Sequence, residues 1–239
     1  MSGAVLTGAE GAAERWSFGG RTMSQGLLGA IALILGVVGL AIATSDKSVP
    51  MYLAAIAEIA LGLSLIIVGV SLSGAYARLL ARSETAAEAG GNLAGTTVDM
   101  FLGGAVIVLA VLAILRVASE VLIPVAVIVI GVGLMLNSVA SIRLANIESS
   151  VAPQQSLARR VAEEMVFATS SVRAVAGVAV LVLGILGVMG AGAIAATAAA
   201  TAVSGLAMDL ALVAMIIAGA ALLLNSTSLS GRIVGAMMR

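Results

Sequence analysis

Three acidic side chains lie where they could do chemistry in an otherwise apolar chain. Glu58 stands inside the run AAIAEIAL, six residues or about 9 Å of helix beyond Tyr52. Glu120 and Asp209 stand at the starts of two later apolar runs. A carboxylate within a membrane is costly and is a functional candidate by default. One interpretation is a ring of three carboxylates that faces the bundle axis or a partner subunit and attracts protons or cations.

The alternative interpretation gives these acids a structural role. Glu120 and Asp209 would be acids at helix amino termini, where the helix dipole favours negative charge. Glu58 would be paired with a neighbouring polar group such as Arg116. The sequence leaves both interpretations open.

Two further sets of residues are candidates for contacts between helices. Polar residues end three apolar runs and could form interhelical hydrogen bonds: Ser73, Asn137 and Asn225. Small residues at four-residue or similar spacing predict close packing of helix backbones, and Ala32, Gly36 and Gly184 are the positions expected to pack.

The residues that are absent limit the chemistry. The chain has no cysteine and no histidine, so disulfides, metal or haem sites built on those ligands, and Cys or His catalysis are excluded. It shows no phosphate-binding loop and no nucleophile elbow. The net charge is zero, which gives no reason to expect a nucleic-acid partner. We therefore expect a non-enzymatic protein with no cofactor, no metal and no catalytic residue.

The composition indicates that most of the chain lies in lipid. Of 239 residues, 61% are hydrophobic and 10% are charged, against about 25% charged in ordinary soluble domains. Runs without Asp, Glu, Lys or Arg predict six spanning helices of roughly 20 residues. The predicted spans are 25–43, 51–74, 99–117, 120–141, 172–191 and 206–227. The third is short, and we expect Asp99 and Arg116 to reach the interfaces from its ends.

The arginines predict an orientation. Ten of the twelve basic residues fall in the two termini and the second and fourth connections, and only Lys47 and Arg116 fall in the other connections. This bias predicts that both termini lie in the cytoplasm. The fold class is therefore an all-α membrane protein of six helices with an N-in, C-in topology.

The six spans divide into three similar hairpins. Matching cores recur at equal intervals in their first helices, LILGVVGL at 33–40, IVLAVLAI at 107–114 and LVLGILGV at 181–188. Leu33, Ile107 and Leu181 are equally spaced in the sequence, and we call this spacing the repeat interval. The second helices also end alike, with GVSLS at 69–73, GLMLNS at 133–138 and AALLLNS at 220–226. Tandem hairpins of one orientation predict an axis near the membrane normal and a pseudo-threefold bundle.

These cores and hairpin ends resemble the HdeD-like family of short-repeat bacterial membrane proteins, over about residues 25–235. The resemblance implies six spans, an inner-membrane location and a role in acid-stress resistance, and it implies no catalytic residues. Pro50 suits the family pattern, whereas the second and third hairpins have no equivalent proline, and the small-residue stretch Ala193–Gly205 is an added departure.

The remaining segments are predicted to be connections. Ser156 would cap an amphipathic cytoplasmic helix through Met165, on the membrane or a partner, or simply a solvated linker. The stretch 190–205 is expected to be a long connection or an interfacial extension. The predicted divisions are 1–24 (N-terminal segment), 25–80 (hairpin one), 81–97 (connection), 98–145 (hairpin two), 146–171 (amphipathic connection), 172–234 (hairpin three) and 235–239 (tail).

Three functions are consistent with these features. The first is an oligomeric structural or accessory subunit of a larger membrane complex, with lipid and protein as its partners. The second is a channel or transporter for protons or small cations that uses Glu58. The third is the acid-stress role that the resemblance implies.

The orientation is testable because the chain has no native cysteine. We expect a membrane-impermeant maleimide to label Ser48→Cys from the outside of intact cells. Ser156→Cys should react only after permeabilisation, since an even number of spans separates it from the cytoplasmic amino terminus. Labelling of both positions from the same side would contradict the hairpin arrangement.

Overall fold

A computed structural model of the chain describes the backbone of residues 6–43, 48–82, 90–151, 157–194 and 200–237. Side chains are described in the apolar regions, over 24–43, 48–71, 73–74, 98–142, 168–191 and 205–226. These residues form six α-helices and no strand. The helices are α1 (Leu6–Ile42), α2 (Ser48–Arg82), α3 (Gly90–Ile114), α4 (Ser119–Val151), α5 (Leu157–Ile194) and α6 (Ala200–Met237).

Apolar stretches long enough to cross a membrane lie in five helices, Ser24–Ile42, Ser48–Ser71, Ser119–Ile142, Ala168–Ala191 and Gly205–Ser226. The apolar stretch of α3 is shorter, Val98–Ile114. In lipid a helix satisfies its own backbone hydrogen bonds, which is why such sequences form helices there. The protein is therefore an all-helical, multi-pass membrane protein.

Several helices are longer than their predicted spans. The predicted amphipathic helix near Met165 is the first part of α5 and is continuous with the fifth span, so it is not a separate surface helix. The predicted long connection at 190–205 is also mostly helical, because α5 continues to Ile194 and α6 begins at Ala200. Strong helix formers in these segments, such as Leu157 and Glu163 in α5 and Ala200 in α6, explain both differences. Ser156 and residues 195–199 lie outside the described residues.

Each helix packs on the next one in the chain and α6 packs on α1, so the six helices form a closed ring with the even-numbered helices at its centre. The even-numbered helices α2, α4 and α6 contact one another, and each odd-numbered helix contacts the two even-numbered helices beside it. Helix α1 packs on α6 and α2, α3 on α2 and α4, and α5 on α4 and α6. The most buried large side chains belong mainly to the even helices, including Leu61, Ile130 and Leu212.

Pairs of glycines bring neighbouring helices into backbone contact at three crossings. The pairs are Gly62 with Gly103 (α2–α3), Gly131 with Gly177 (α4–α5) and Gly219 with Gly29 (α6–α1). A β-carbon on Gly103 would lie 2.6 Å from the Gly62 carbonyl oxygen, and one on Gly219 would lie 2.7 Å from that of Gly29. Only glycine permits this approach, which allows extensive van der Waals contact.

The three odd helices share one pattern of burial. Gly29, Gly103 and Gly177 are separated by the repeat interval, so they hold the same position relative to the three core motifs. The positions three, seven and ten residues after each glycine are also buried, and these include the predicted packing residues Ala32, Gly36 and Gly184. Gly36 packs against Leu212 and Ile216 of α6, and Gly184 packs against Pro124 and Ile128 of α4.

The outward faces follow the same spacing. Leu27, Phe101 and Val175 are also separated by the repeat interval, and they are 63%, 78% and 69% exposed. Large apolar side chains also cover the outer faces at Ile34 and Val108. An apolar exterior of this kind is suited to lipid or to another membrane helix.

The crossings make a paired prediction at two adjacent glycines. Gly103→Ala should lower the melting temperature in detergent by about 3–10 °C, because the new methyl group collides with the α2 backbone. Gly104→Ala is the matched control, since a β-carbon there has nothing within 4 Å. It should leave the melting temperature unchanged or slightly raised, because alanine favours helix more than glycine does. Equal effects of the two substitutions would contradict the described crossing.

Candidate functional site

Glu58 is the most deeply buried acidic residue in the described part of the chain. Its side chain is 0% exposed, although it belongs to an apolar span. Neither carboxyl oxygen has a hydrogen-bond partner among the described residues. An ionised carboxylate in such a position costs about 2.5–3.5 kcal/mol on insertion scales. The group therefore requires a proton, a cation or a partner from outside the chain.

The surroundings of Glu58 are mostly small and apolar. On its own helix, Ala54, Ala55 and Ala57 are fully buried. Glu58 lies one turn before Gly62, where α2 crosses α3. The two helices are antiparallel, as shown by Gly69, which is later in α2 and lies against Asp99, near the start of the apolar stretch of α3. This register places the fully buried Ala110 of α3 at the level of Glu58. Alanines leave room for the carboxyl group without supplying a hydrogen bond to it.

Glu58 is not paired with Arg116, which was one of the two roles that the sequence left open. Arg116 is exposed in the turn between α3 and α4, where its Nε donates to Tyr52 Oη over 3.4 Å. Its guanidinium carbon also lies 5.9 Å from the centre of the Tyr52 ring. Arg116 and Ala118 both have positive φ, 59° and 48°. This tight turn directs Arg116 toward the end of α2 and away from Glu58.

The other two predicted carboxylates lie nearer the end of the bundle. Glu120 is eleven residues before the crossing Gly131, and Asp209 is ten before Gly219, whereas Glu58 is only four before Gly62. At about 1.5 Å per residue, Glu58 is about 10 Å deeper. Glu120 is exposed and Asp209 is half-buried. Among the described residues no three acids form a group that could hold a metal ion.

Glu120 has a local environment of its own. It lines a small depression between α4, α5 and α6, together with Ala191, Ala207 and Met208. It also stands in the first turn of α4, where the helix dipole favours an acid. Glu120 therefore fits the interpretation of an acid at a helix amino terminus, and its exposed position differs from the buried position of Glu58.

The polar residues that end the apolar runs of the even helices fall into different environments. The Ser73 hydroxyl donates to the Val70 carbonyl of its own helix at 2.9 Å, so this bond is not the interhelical contact expected for it. Asn137 is 1% exposed in the interior, whereas Asn225 is half-buried. Hydroxyl groups can satisfy themselves on the preceding turn, which the terminal pattern alone does not reveal.

A set of polar residues that the sequence did not bring together lies at the end of the bundle where the apolar stretches of the odd helices begin and those of the even helices finish. We call this the arginine-rich end. Gln25, Asp99 and Arg173 are there, 6%, 1% and 5% exposed. Asp99 was expected to reach the interface, but the structure buries it against Gly69. Its burial follows from its place four residues before a crossing glycine, on the inward face of α3.

A signal for this set was present in the sequence. Gln25, Asp99 and Arg173 are separated by the repeat interval, in the same frame as the matching cores. Alignment of the three hairpins at this interval, continued beyond the apolar cores, would have shown a polar residue at the same position in all three. The different chemistry of glutamine, aspartate and arginine hides the correspondence.

The arrangement separates two kinds of polar site. Glu58 is an isolated acid within a packed, alanine-rich interior, suited to taking up and releasing a single proton or cation. At the arginine-rich end, Gln25 Nε2, Asp99 Oδ1 and Arg173 Nε and Nη2 are buried without a hydrogen-bond partner among the described residues.

Comparison with known proteins adds no further assignment. Neither family models, nor curated proteins, nor solved structures gave a match to this chain.

Proposed function

We propose that this protein is a non-enzymatic structural subunit of a membrane assembly, acting as an oligomer or as an accessory subunit of a larger complex. The observation that carries the proposal is the packing of six helices through three glycine crossings. Such backbone contacts favour a rigid body over one that opens and closes. The charge bias and the helix pattern support a location in the inner membrane, with the arginine-rich end in the cytoplasm.

The repeated features support a triplicated hairpin as the origin of this body. The crossing glycines, the buried faces and the most exposed apolar positions of the odd helices all recur at the repeat interval. A triplicated unit presents three similar apolar faces to its surroundings. Each face is available to lipid or to a neighbouring membrane protein.

The structural proposal predicts a discrete assembly in mild detergent. The native mass should be a fixed multiple of the 23.5 kDa chain or should include a constant partner, because rigid apolar faces bind other helices stably. Single cysteines at Leu27, Phe101 and Val175 occupy equivalent outward positions and serve as controls for one another. In a homo-oligomer, intermolecular disulfides should form at a subset of them. A strictly monomeric, freely exchanging species would contradict the proposal.

A second candidate function, transport of protons or small cations, is favoured by Glu58. Its carboxyl group is fully buried in a membrane-spanning helix, with no hydrogen-bond partner among the described residues. Ion pathways commonly place an acid in such a position. Against this function, the interior next to Glu58 is apolar and offers few groups to line a hydrated path.

The transport function predicts a specific loss in proteoliposomes. Glu58→Gln should reduce proton or cation flux at least tenfold, because the amide has nearly the same shape but cannot carry a proton in exchange. Glu120→Gln is the control, since it removes the same charge from an exposed position. Equal flux in the two variants, or no flux from the unmodified protein, would remove this candidate.

The acid-stress role rests on the family resemblance alone. Normal survival of a deletion strain at low pH would remove it.

A further inference from the structure

The turn between α3 and α4 holds two residues in a backbone conformation that usually belongs to glycine. Arg116 has a φ of 59° and Ala118 a φ of 48°, whereas no glycine in the described part of the chain has a positive φ. A side chain makes this conformation costly, because its β-carbon comes too close to the following carbonyl oxygen. Backbone strain of this kind is concentrated at functional sites.

Arg116 occupies the position at which many helices end in glycine. The Val117 N–H donates to the Leu112 carbonyl at 3.1 Å, and the Arg116 N–H donates to the Ala113 carbonyl at 2.9 Å. These two bonds form a Schellman motif, in which the left-handed residue is usually glycine. The chain has 28 glycines, so glycine is a residue it uses freely. The backbone alone therefore does not account for an arginine at this position.

The Arg116 side chain is held beside Tyr52 of α2. Its Nε donates to Tyr52 Oη over 3.4 Å, and its guanidinium carbon lies 5.9 Å from the centre of the ring. Tyrosine is common at the boundary between lipid tails and headgroups. A guanidinium has five N–H donors, and among the described residues only Nε–H has a hydrogen-bond partner. The tyrosine therefore fixes the guanidinium and leaves its two terminal NH₂ groups to bind something else.

The short length of α3 places this turn near the lipid headgroups. Its apolar stretch, Val98–Ile114, measures roughly 25 Å, less than the ~30 Å hydrocarbon core of a bilayer. Helix α3 ends eleven residues after its crossing glycine, whereas α1 continues for thirteen and α5 for seventeen. Leu115 and Val117 are 66% and 54% exposed. Apolar side chains so placed enter lipid, and the long Arg116 side chain between them extends to the headgroups.

The acid next along the chain is directed to a different neighbour. Glu120 lines the depression that α4 forms with Ala191 of α5 and Ala207 of α6. Arg116 is directed to Tyr52 of α2. The positive charge of Arg116 is therefore available to an anion on the α2 side of the turn.

We propose that Arg116 and Tyr52 form a binding site for the phosphate of a membrane phospholipid, with Leu115 and Val117 against its acyl chains. The planar guanidinium donates two N–H groups to two phosphate oxygens, the arrangement that arginine favours. Tyr52 is a positioning residue that holds the guanidinium through its hydroxyl and its ring. The site depends on neither proposed function. Phospholipids are present in both leaflets, so it does not depend on the orientation of the chain.

Native mass spectrometry of the purified full chain with added phosphatidylglycerol tests the site. Arg116→Gly should retain one lipid fewer than the unmodified chain at the same lipid concentration, because the guanidinium is lost. Ala118→Gly is the matched control, since it relaxes the same turn and keeps the guanidinium. It should retain the full number. Equal numbers of lipids on the two variants would overturn the site.

Thermal melting separates lipid binding from folding. Without lipid, both glycine variants should melt within about 3 °C of the unmodified chain, because relief of the strained φ offsets the greater freedom of the unfolded chain. Phosphatidylglycerol should raise the melting temperature of the unmodified chain and of Ala118→Gly by at least about 2 °C more than that of Arg116→Gly. Because the rise is measured for each variant against itself, it remains decisive if one variant is less stable. The same rise in all three would overturn the site.

The role of Tyr52 is tested by two substitutions. Tyr52→Leu removes both contacts with the guanidinium and should abolish most of the lipid-dependent rise in melting temperature. Tyr52→Phe keeps the ring and should retain part of the rise. An unchanged rise in Tyr52→Leu would overturn the site as proposed.

Two further probes distinguish a lipid phosphate from other ligands. Diacylglycerol carries acyl chains without phosphate, and inorganic phosphate carries the anion without acyl chains. At the concentration used for phosphatidylglycerol, neither should produce a rise that depends on Arg116. Such a rise with inorganic phosphate would indicate a site for a free anion, and one with diacylglycerol would indicate a purely apolar contact. Either result would overturn the lipid site.

Discussion

Close approach of helix backbones is the constraint on which the remaining structure depends. Lipid tails are as apolar as leucine, so helices in a membrane are not driven together by the hydrophobic effect and must gain from van der Waals contact. In this protein the contact is greatest where Gly62 meets Gly103, Gly131 meets Gly177 and Gly219 meets Gly29. At these crossings a single methyl group would force the helices apart. The positions of the crossings determine which faces of α1, α3 and α5 turn inward, and therefore which side chains are buried.

The inward faces then bring polar groups into the interior at two depths. Near the arginine-rich end, Gln25, Asp99 and Arg173 stand one turn before the crossing glycines, each of them buried. Deeper in the membrane, Glu58 is fully buried and neither of its carboxyl oxygens has a hydrogen-bond partner among the described residues. A role for this acid must therefore come from a proton, a cation or a further partner.

The spans were predictable to within a few residues because the absence of charged residues marks them directly. The continuity of the helix from Leu157 into the fifth span and the start of α6 at Ala200 were not, since a helix that extends beyond the membrane leaves no hydropathy signal of its length. Among the candidate site residues, the sequence identified Glu58 as unusual but could not say that Arg116 turns away toward Tyr52. It also allowed Glu58, Glu120 and Asp209 to form one ring, whereas the helix register places Glu58 about 10 Å deeper than the other two acids.

The sequence by itself determined that the chain lies in lipid, that it forms six helices and that Cys and His chemistry is closed to it. These properties depend on composition and on runs of consecutive residues, which are local. Only the tertiary structure decided which glycines cross, that Asp99 is buried instead of reaching the interface, and that Arg173 is buried as well. Those features depend on the rotation and register of one helix against another. A rotation of about 100° per residue moves a side chain from lipid to the interior without changing the hydropathy of the span.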